Sequence, residues 1–356
     1  MYISRLSLTN YRNYHSLDME FPQGFLVFHG GNAQGKTNLL EAVYLLSIAK
    51  AYRAGSDREA MGKAAAETGD GTQVLGVVHR GHERVRILVD MRLEGAGGEG
   101  GQPHMRKDIR VNGIPRLASE LVGVVNAVLF DAEDIQLVLG PPATRRRYLD
   151  ILICQLDHAY LRALQRYQKV VFQRNHLIRL LRERRAQPEE MDFWDQALVQ
   201  EGAYITMRRH ETVRELKALA KELHHHLTEG QEELDADYLP SIPIEGVEAT
   251  DIARAFTAAL KAGWDRELAL GSSQWGPHRD DLRLVVGGLD AATYASRGQA
   301  RTLALTLKLA EGTLLARERG ESPILLLDDI LSELDAFRRR RLLEYVSQSQ
   351  QALVST

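Results

Sequence analysis

The feature that most constrains this chain is the octapeptide Gly30-Gly31-Asn32-Ala33-Gln34-Gly35-Lys36-Thr37. It follows a short apolar run at residues 25–29 and precedes a stretch in which Leu39, Leu40, Val43 and Leu46 recur at spacings of three and four. The run reads as a buried strand and the recurrence as an amphipathic helix. The octapeptide fits G-x-x-x-x-G-K-[ST] in the strand-to-helix setting that phosphate binding requires. Glycines let backbone N–H groups close on phosphate oxygens, and the helix start adds free donors and a favourable dipole. Lys36 then reaches the β- and γ-phosphates of ATP and the Thr37 hydroxyl binds Mg²⁺. All eight residues are accordingly assigned to ATP binding.

Such a loop needs a carboxylate for the metal. Residues 324–329, ILLLDD, supply an apolar strand ending in two acids. Asp328 is the metal carboxylate, acting directly or through water, and Asp329 is placed to orient the attacking water. Lys36 and Asp329 are therefore the candidate catalytic residues.

Between these motifs the texture changes twice. VLGVVHR, RVRILVDMRL and IRVNG read as antiparallel strands, interrupted by a glycine-rich surface loop at residues 95–101. After residue 130, Leu156, Tyr160, Leu164, Tyr167, Val171, Ile178 and Leu181 recur at helical spacing. After a break near Pro188, so do Trp194, Leu198, Ile205, Leu216, Ala220, Leu223 and Leu227. These are two helices of about thirty residues, on the order of 40 to 50 Å each, and a short connection makes them an antiparallel pair. Strand signals return at residues 282–286 and 324–327, around a helix near residues 298–319. The reading is α/β: an ATPase domain split into residues 1–128 and 271–356, with a helical domain inserted at 129–270.

Ser296-Arg297-Gly298-Gln299, at the start of that last helix, resembles the ABC signature, in which serine and glycine at a helix N-terminus bind the γ-phosphate held by the opposing subunit. Ser332-Glu333-Leu334-Asp335 is similar to the D-loop of the same ATPases. Three further stretches resemble the RecF family of bacterial recombination and repair mediators: Asn10-Tyr11-Arg12-Asn13-Tyr14; the run from Glu133 through Arg145-Arg146-Arg147-Tyr148-Leu149-Asp150; and Gly276-Pro277-His278-Arg279-Asp280-Asp281. The resemblance spans nearly the whole chain. It implies an ABC-type P-loop ATPase head with mixed sheets, Arg12 near the nucleotide phosphates, and an ATP-dependent homodimer. It also implies binding to gapped, junction or duplex DNA and work with RecR and RecA; the start MYISRLSLTNYRNY has no apolar signal stretch and no run spans a membrane, so the expected location is the cytoplasm.

Ala132 stands where the RecF pattern has proline. Asp329 replaces the glutamate of transporter ATPases, which implies slow hydrolysis. No Q-loop glutamine is assigned near Asp131 and Glu133, and residues 353–356, where an ABC switch histidine is expected, hold none.

Two related classes compete. A structural chromosome-maintenance ATPase needs a far longer coiled coil than these helices provide. A transporter nucleotide-binding subunit differs in whether membrane or DNA stimulates turnover. No apolar run approaches the roughly 18 residues of a membrane span.

With 45 basic and 48 acidic residues the net charge is −3, so DNA binding must come from local patches. Arg145, Arg146 and Arg147 are the candidates. Pro141 and Pro142 open a helix there, placing three cations in the turn where the dipole disfavours them. Phosphate contact and internal pairing with acids such as Asp150 are both open. His224-His225-His226 reads as a solvated helix face, because consecutive helical positions cannot converge on one ion. Arg338-Arg339-Arg340-Arg341 reads as an exposed helix after the D-loop, with DNA contact as the alternative. The single cysteine, Cys154, cannot form an internal disulfide.

Overall fold

The computed structural model describes residues 1–53, 56–68, 70–94 and 104–356; the expected glycine-rich loop at 95–101 lies outside them. The chain divides into two compact units, Met1–Asp134 with Arg301–Thr356, and Ile135–Ala300.

The first unit holds two sheets. Strands β1 (Tyr2–Tyr11) and β2 (Tyr14–Glu20) begin a chain that continues after β3 (Gly24–Phe28) with β4 (Thr72–Arg80), β5 (Glu83–Glu94), β6 (His104–Val111) and β7 (Ile114–Arg116). These form an antiparallel sheet in the order β2-β1-β4-β5-β6-β7, as the alternating apolar residues lead one to expect. The other sheet is parallel. It takes β3 together with β8 (Ala127–Asp131) and two strands called here β12 (Ile324–Asp328) and β13 (Gln351–Ser355), in the order β3-β13-β12-β8. β8, β12 and β13 are buried along their whole length, the continuous apolar pattern of a parallel sheet covered on both faces. β3 differs from the expected buried strand. It is the sheet edge, and Phe25 and Val27 are exposed.

The helix Lys36–Ile48 packs on β8, β12 and β13 and also on β4. Its residues from Leu39 to Ser47 are all buried, so the expected single apolar face is corrected to burial all round, the state of a helix held between two layers.

In the second unit the helices His158–Arg182 and Met191–Leu227 form the long pair, of 25 and 37 residues, about 38 and 56 Å. Their cross-contacts run in opposite directions: Asp157 with Tyr204 and Arg208, Arg166 with Glu201, Arg174 with Asp195. The pair is therefore antiparallel but unequal. Helix Ala249–Leu270 packs against both, and helix Pro142–Leu156 leads into them. Three strands, β9 (Leu234–Leu239), β10 (Asp281–Val286) and β11 (Leu289–Asp290), form an antiparallel sheet in the order β11-β10-β9. Because β10 pairs with β9, which follows the long helix, and carries β11 on its other edge, the second unit reaches Ala300, beyond the boundary expected at residue 270.

Candidate functional site

At the carboxyl edge of the parallel sheet Phe28, Ser355, Asp328 and Asp131 stand in register, one from each strand. Parallel sheets bind ligands outside that edge. The phosphate-binding motif leaves β3 there and turns into the helix at Lys36.

Gly35 has φ +105°, and a Cβ on it would lie 2.7 Å from Asn13 Nδ2 and 2.9 Å from Tyr14 Oη, so only glycine fits. Tyr14 Oη donates to the Gly35 carbonyl at 3.1 Å, and Asn38 Nδ2 donates to Asn13 Oδ1 at 2.8 Å. The Asn13–Tyr14 pair thus buttresses the loop. Lys36 Nζ donates to the carbonyls of Gly30 at 2.7 Å and Gly31 at 3.0 Å, holding its charge over the loop.

The structure brings Thr37 and Asp328 together across 291 residues of sequence: Thr37 Oγ1 donates to Asp328 Oδ1 at 2.9 Å. Ser355 Oγ donates to the same oxygen at 2.7 Å. A hydroxyl beside a buried carboxylate is a hard oxygen pair, and it fits Mg²⁺, which takes few protein ligands and leaves the rest to water and phosphate. Asp329 sits just beyond, exposed, with a left-handed φ of +53° that aspartate tolerates better than most residues. Its N–H donates to Ser355 Oγ at 3.0 Å and its carbonyl accepts from Ser332 Oγ at 2.8 Å, so the backbone that aims the carboxylate is clamped from both sides.

Three participants escaped the sequence reading. Ser355 is one. Asp131 is another, although it ends an apolar strand just as Asp328 does, and that shared pattern was the available signal. The third is Arg53, whose Nη2 lies 2.6 Å from Asp131 Oδ2 and 2.8 Å from Asp328 Oδ2. No motif points to it.

Arg12, expected near the nucleotide phosphates, pairs with an acid of the helix that the phosphate loop opens into. Its guanidinium is bidentate on Glu41 of the P-loop helix, at 2.9 and 2.8 Å, and its Nη1 donates to the Glu59 carbonyl at 2.7 Å. Glu41 is buried, so it takes the nearest fixed cation.

In the second unit Ser296 and Gln299 cap each other. Gln299 N–H donates to Ser296 Oγ at 3.2 Å and Ser296 N–H to Gln299 Oε1 at 3.0 Å, a reciprocal capping box on the helix Arg297–Arg319. Ser296, Arg297 and Gly298 are exposed there, and Gln299 Nε2 donates to Glu232 at 3.0 Å.

The arginine triplet divides. Arg145 is buried and bidentate on Asp281, at 2.7 and 2.9 Å, with Nη1 on the Gly140 carbonyl at 2.8 Å, which removes it from any DNA surface. Arg146 Nη1 donates to the Asp280 carbonyl at 2.8 Å, and burial first, then the neighbouring Arg209 charge, lowers its pKa. Arg147 is exposed. The acid named for pairing, Asp150, instead takes Arg209 at 2.8 Å and the Tyr160 hydroxyl at 2.5 Å. Arg209 Nη1 reaches the Pro277 carbonyl at 2.7 Å, and buried Asp280 accepts from the Tyr238 hydroxyl and, at 2.7 Å, from Ser241 N–H. Gly276 has φ +114°, and a Cβ on it would meet the Tyr167 hydroxyl and the Phe256 ring.

His224 is buried within 3.4 Å of Glu232, so the solvated-face reading holds only for His225 and His226. Among the described residues no three His, Cys, Asp or Glu side chains could hold a metal ion together. Arg338 pairs with Asp335, Arg339 donates to the Leu331 and Leu334 carbonyls at 2.9 and 3.0 Å, and Arg341 pairs with Glu344 at 3.0 Å. No helix of the described residues is long and apolar enough to cross a membrane.

Residues 2–356 match the pattern of the RecF/RecN/SMC N-terminal domain family. The DNA replication and repair protein RecF of Chloroflexus aggregans is 40% identical over 370 residues, covering 100% of this chain and 93% of that protein. RecF of Geobacillus thermodenitrificans is 36% identical over 359 residues, with 100% and 92% covered. A solved structure of the recombination mediator protein RecF with ATPrS, of the RecFOR pathway, superposes with a TM-score of 0.91 at 31% identity, covering 100% of this chain and 92% of that one. The Smc head domain of Pyrococcus furiosus shares the fold, with a TM-score of 0.51 at 17% identity and coverage of 100% and 89%.

Proposed function

The chain belongs to the RecF family of DNA replication and repair proteins, and from that premise we propose that it is a Mg²⁺-dependent ATPase of recombinational repair whose nucleotide state sets its affinity for DNA. The observation that carries the reading is the contact between Thr37 and Asp328, which brings two motifs far apart in sequence together as a hydroxyl–carboxylate pair next to Lys36. Lys36 neutralises the β- and γ-phosphates; Thr37 and Asp328 would hold Mg²⁺, which when bound would withdraw charge from the phosphates. Asp329 orients the attacking water. An aspartate is one methylene shorter than the glutamate usual at this place, which favours slow turnover and a switch over a fast engine.

The first unit is the ATPase head, and the second is an inserted domain whose Ser296 and Gly298 end supplies the γ-phosphate contact to a second copy. ATP is then the glue of a homodimer. The exposed capping box and the helix N-terminus behind it support this reading, since an anion there meets the positive dipole end of the helix. The DNA partner is a gapped, junction or duplex structure, and RecR and RecA are the proteins it works with, in the cytoplasm.

The test is binding of gapped, duplex and single-stranded DNA in the presence of ATP, ADP or no nucleotide, by wild type and Lys36→Met. Tight binding with ATP alone, lost in the variant, is expected. Equal DNA affinity in every nucleotide state would sink the switch.

A further inference from the structure

Arg53 lies outside every motif, yet it reaches the ends of two strands at once. Its Nη2 contacts Asp328 Oδ2 at 2.8 Å and Asp131 Oδ2 at 2.6 Å, and its Nε adds a bond to Asp131 at 3.1 Å. Both carboxylates are buried, with side-chain exposures of 4% and 2%. Two such acids side by side need a cation, because like charges in a poorly solvated place otherwise drive one of them to take a proton. The guanidinium comes from a pinned backbone: Arg53 N–H donates to Glu41 Oε1 at 3.1 Å, and Arg12 holds Glu41. Asp328 therefore has both oxygens engaged, Oδ1 by the Thr37 and Ser355 hydroxyls and Oδ2 by Arg53.

A divalent ion bound to Thr37 and Asp328 brings two positive charges to the place where Arg53 supplies one. We propose that Arg53 is a resident counter-ion of Asp328 that competes with the divalent cation, so that Mg²⁺ loading transfers the guanidinium from Asp328 to Asp131 alone. The transfer is short, since two guanidinium nitrogens already rest on Asp131. The exchange sets a threshold: an empty site stays neutralised, and only enough Mg²⁺ releases Asp328. This inference rests on Asp328 being the metal carboxylate.

The experiment measures ATP affinity by calorimetry over a series of free Mg²⁺ concentrations, starting from a metal-free solution, and reads the Mg²⁺ midpoint. Removing the competitor in Arg53→Gln lowers the midpoint by about two- to fivefold, the upper part of the range for losing one partly exposed charge pair. Asp131→Asn raises it, because Arg53 then has no second carboxylate to retire to. Arg53→Lys stays near wild type. Opposite shifts in the two neutralising variants are what general loosening of the site cannot produce. Midpoints that move together, or not at all, overturn the proposal. Asp328→Asn separates it from its premise: if Mg²⁺ still tightens ATP binding in that variant as in wild type, the metal reading itself fails, whereas loss there with an unmoved Arg53→Gln midpoint removes only the counter-ion.

Discussion

Neutralising Asp134 should stabilise the protein above pH 7 and do nothing at pH 4. Asp134 lies three residues beyond β8 and is buried in the first unit, where one carboxylate oxygen accepts from Asp131 N–H at 2.8 Å. Burial drives its pKa from an ordinary 3.8 up to about 7, with the Asp131 and Glu311 charges adding to the rise and Lys308 opposing it. The folded state thus keeps a proton that the unfolded chain has already lost. The sign follows: the stabilisation is complete below pH 3.8 and disappears as pH climbs through about 7. Three pKa units at 1.36 kcal/mol each amount to about 4 kcal/mol across the window. Asparagine imitates the protonated acid in shape and keeps an oxygen for the Asp131 N–H. Asp134→Asn should therefore match wild type near pH 4 and exceed its stability by up to that amount at pH 8. Urea melts of both proteins at several pH values read the difference directly. His278 titrates in the opposite sense: burial lowers its pKa from 6.5 to about 4, so its contribution is complete above pH 6.5 and is lost as pH falls towards 4. Because both proteins keep His278, that dependence cancels in the difference. A difference that is flat with pH, or a variant less stable than wild type at pH 8, would falsify the assignment of a buried, protonated Asp134.

Four other outcomes are expected. Asp329→Asn retains ATP while turnover drops, whereas Asp328→Asn weakens Mg²⁺-dependent nucleotide binding itself; normal turnover in both places the chemistry elsewhere. Ser296→Arg stays monomeric in sedimentation with a non-hydrolysable ATP analogue that dimerises wild type, and Glu232→Ala, which frees Gln299 from its 3.0 Å anchor, dimerises less tightly; dimers of wild-type strength in both refute the signature. Arg145→Ala loses about 3 kcal/mol of stability by breaking the buried pair with Asp281, and a melt at wild-type temperature contradicts that. Arg147→Ala lowers the log-log salt slope of DNA binding by about one, and an unchanged slope takes Arg147 out of the DNA surface.

The candidate nucleotide site was legible because its parts carry their own local context. The loop Gly30–Thr37 needs a strand before it and a helix after it, and the end of an apolar strand at Asp328 is visible in six residues. What could not be read was the partnership that depends on strand order. Only the register of β13 beside β12 brings Ser355 to Asp328, and only β8 on the other side brings Asp131 within reach of Arg53. Likewise the full burial of the P-loop helix follows from a second sheet above it, which helical periodicity alone does not reveal. Missing β9 had a larger effect: LDADYL alternates apolar and polar residues, but a single short stretch beside a long helix was read as part of the helical domain, and without it β10 was assigned to the ATPase half rather than to its true neighbour.

The stretches that carry the family resemblance most specifically turn out to be architecture more than chemistry. Arg145 with Asp281, Arg146 with the Asp280 carbonyl, Asp150 with Arg209, and Arg209 with the Pro277 carbonyl tie the run ending at Asp150 to the GPHRDD segment inside the second unit. An ion pair needs both partners at once, so neither stretch can vary alone: losing Asp281 strands a buried guanidinium, and losing Arg209 leaves Asp150 and the Tyr160 hydroxyl without their cation. A phosphate contact is under weaker restraint, since any exposed lysine or arginine nearby serves a non-specific backbone. The long charged fingerprint therefore locates the hub of the inserted unit, and the search for DNA contacts moves to cations such as Arg147, which the same helix leaves on the surface.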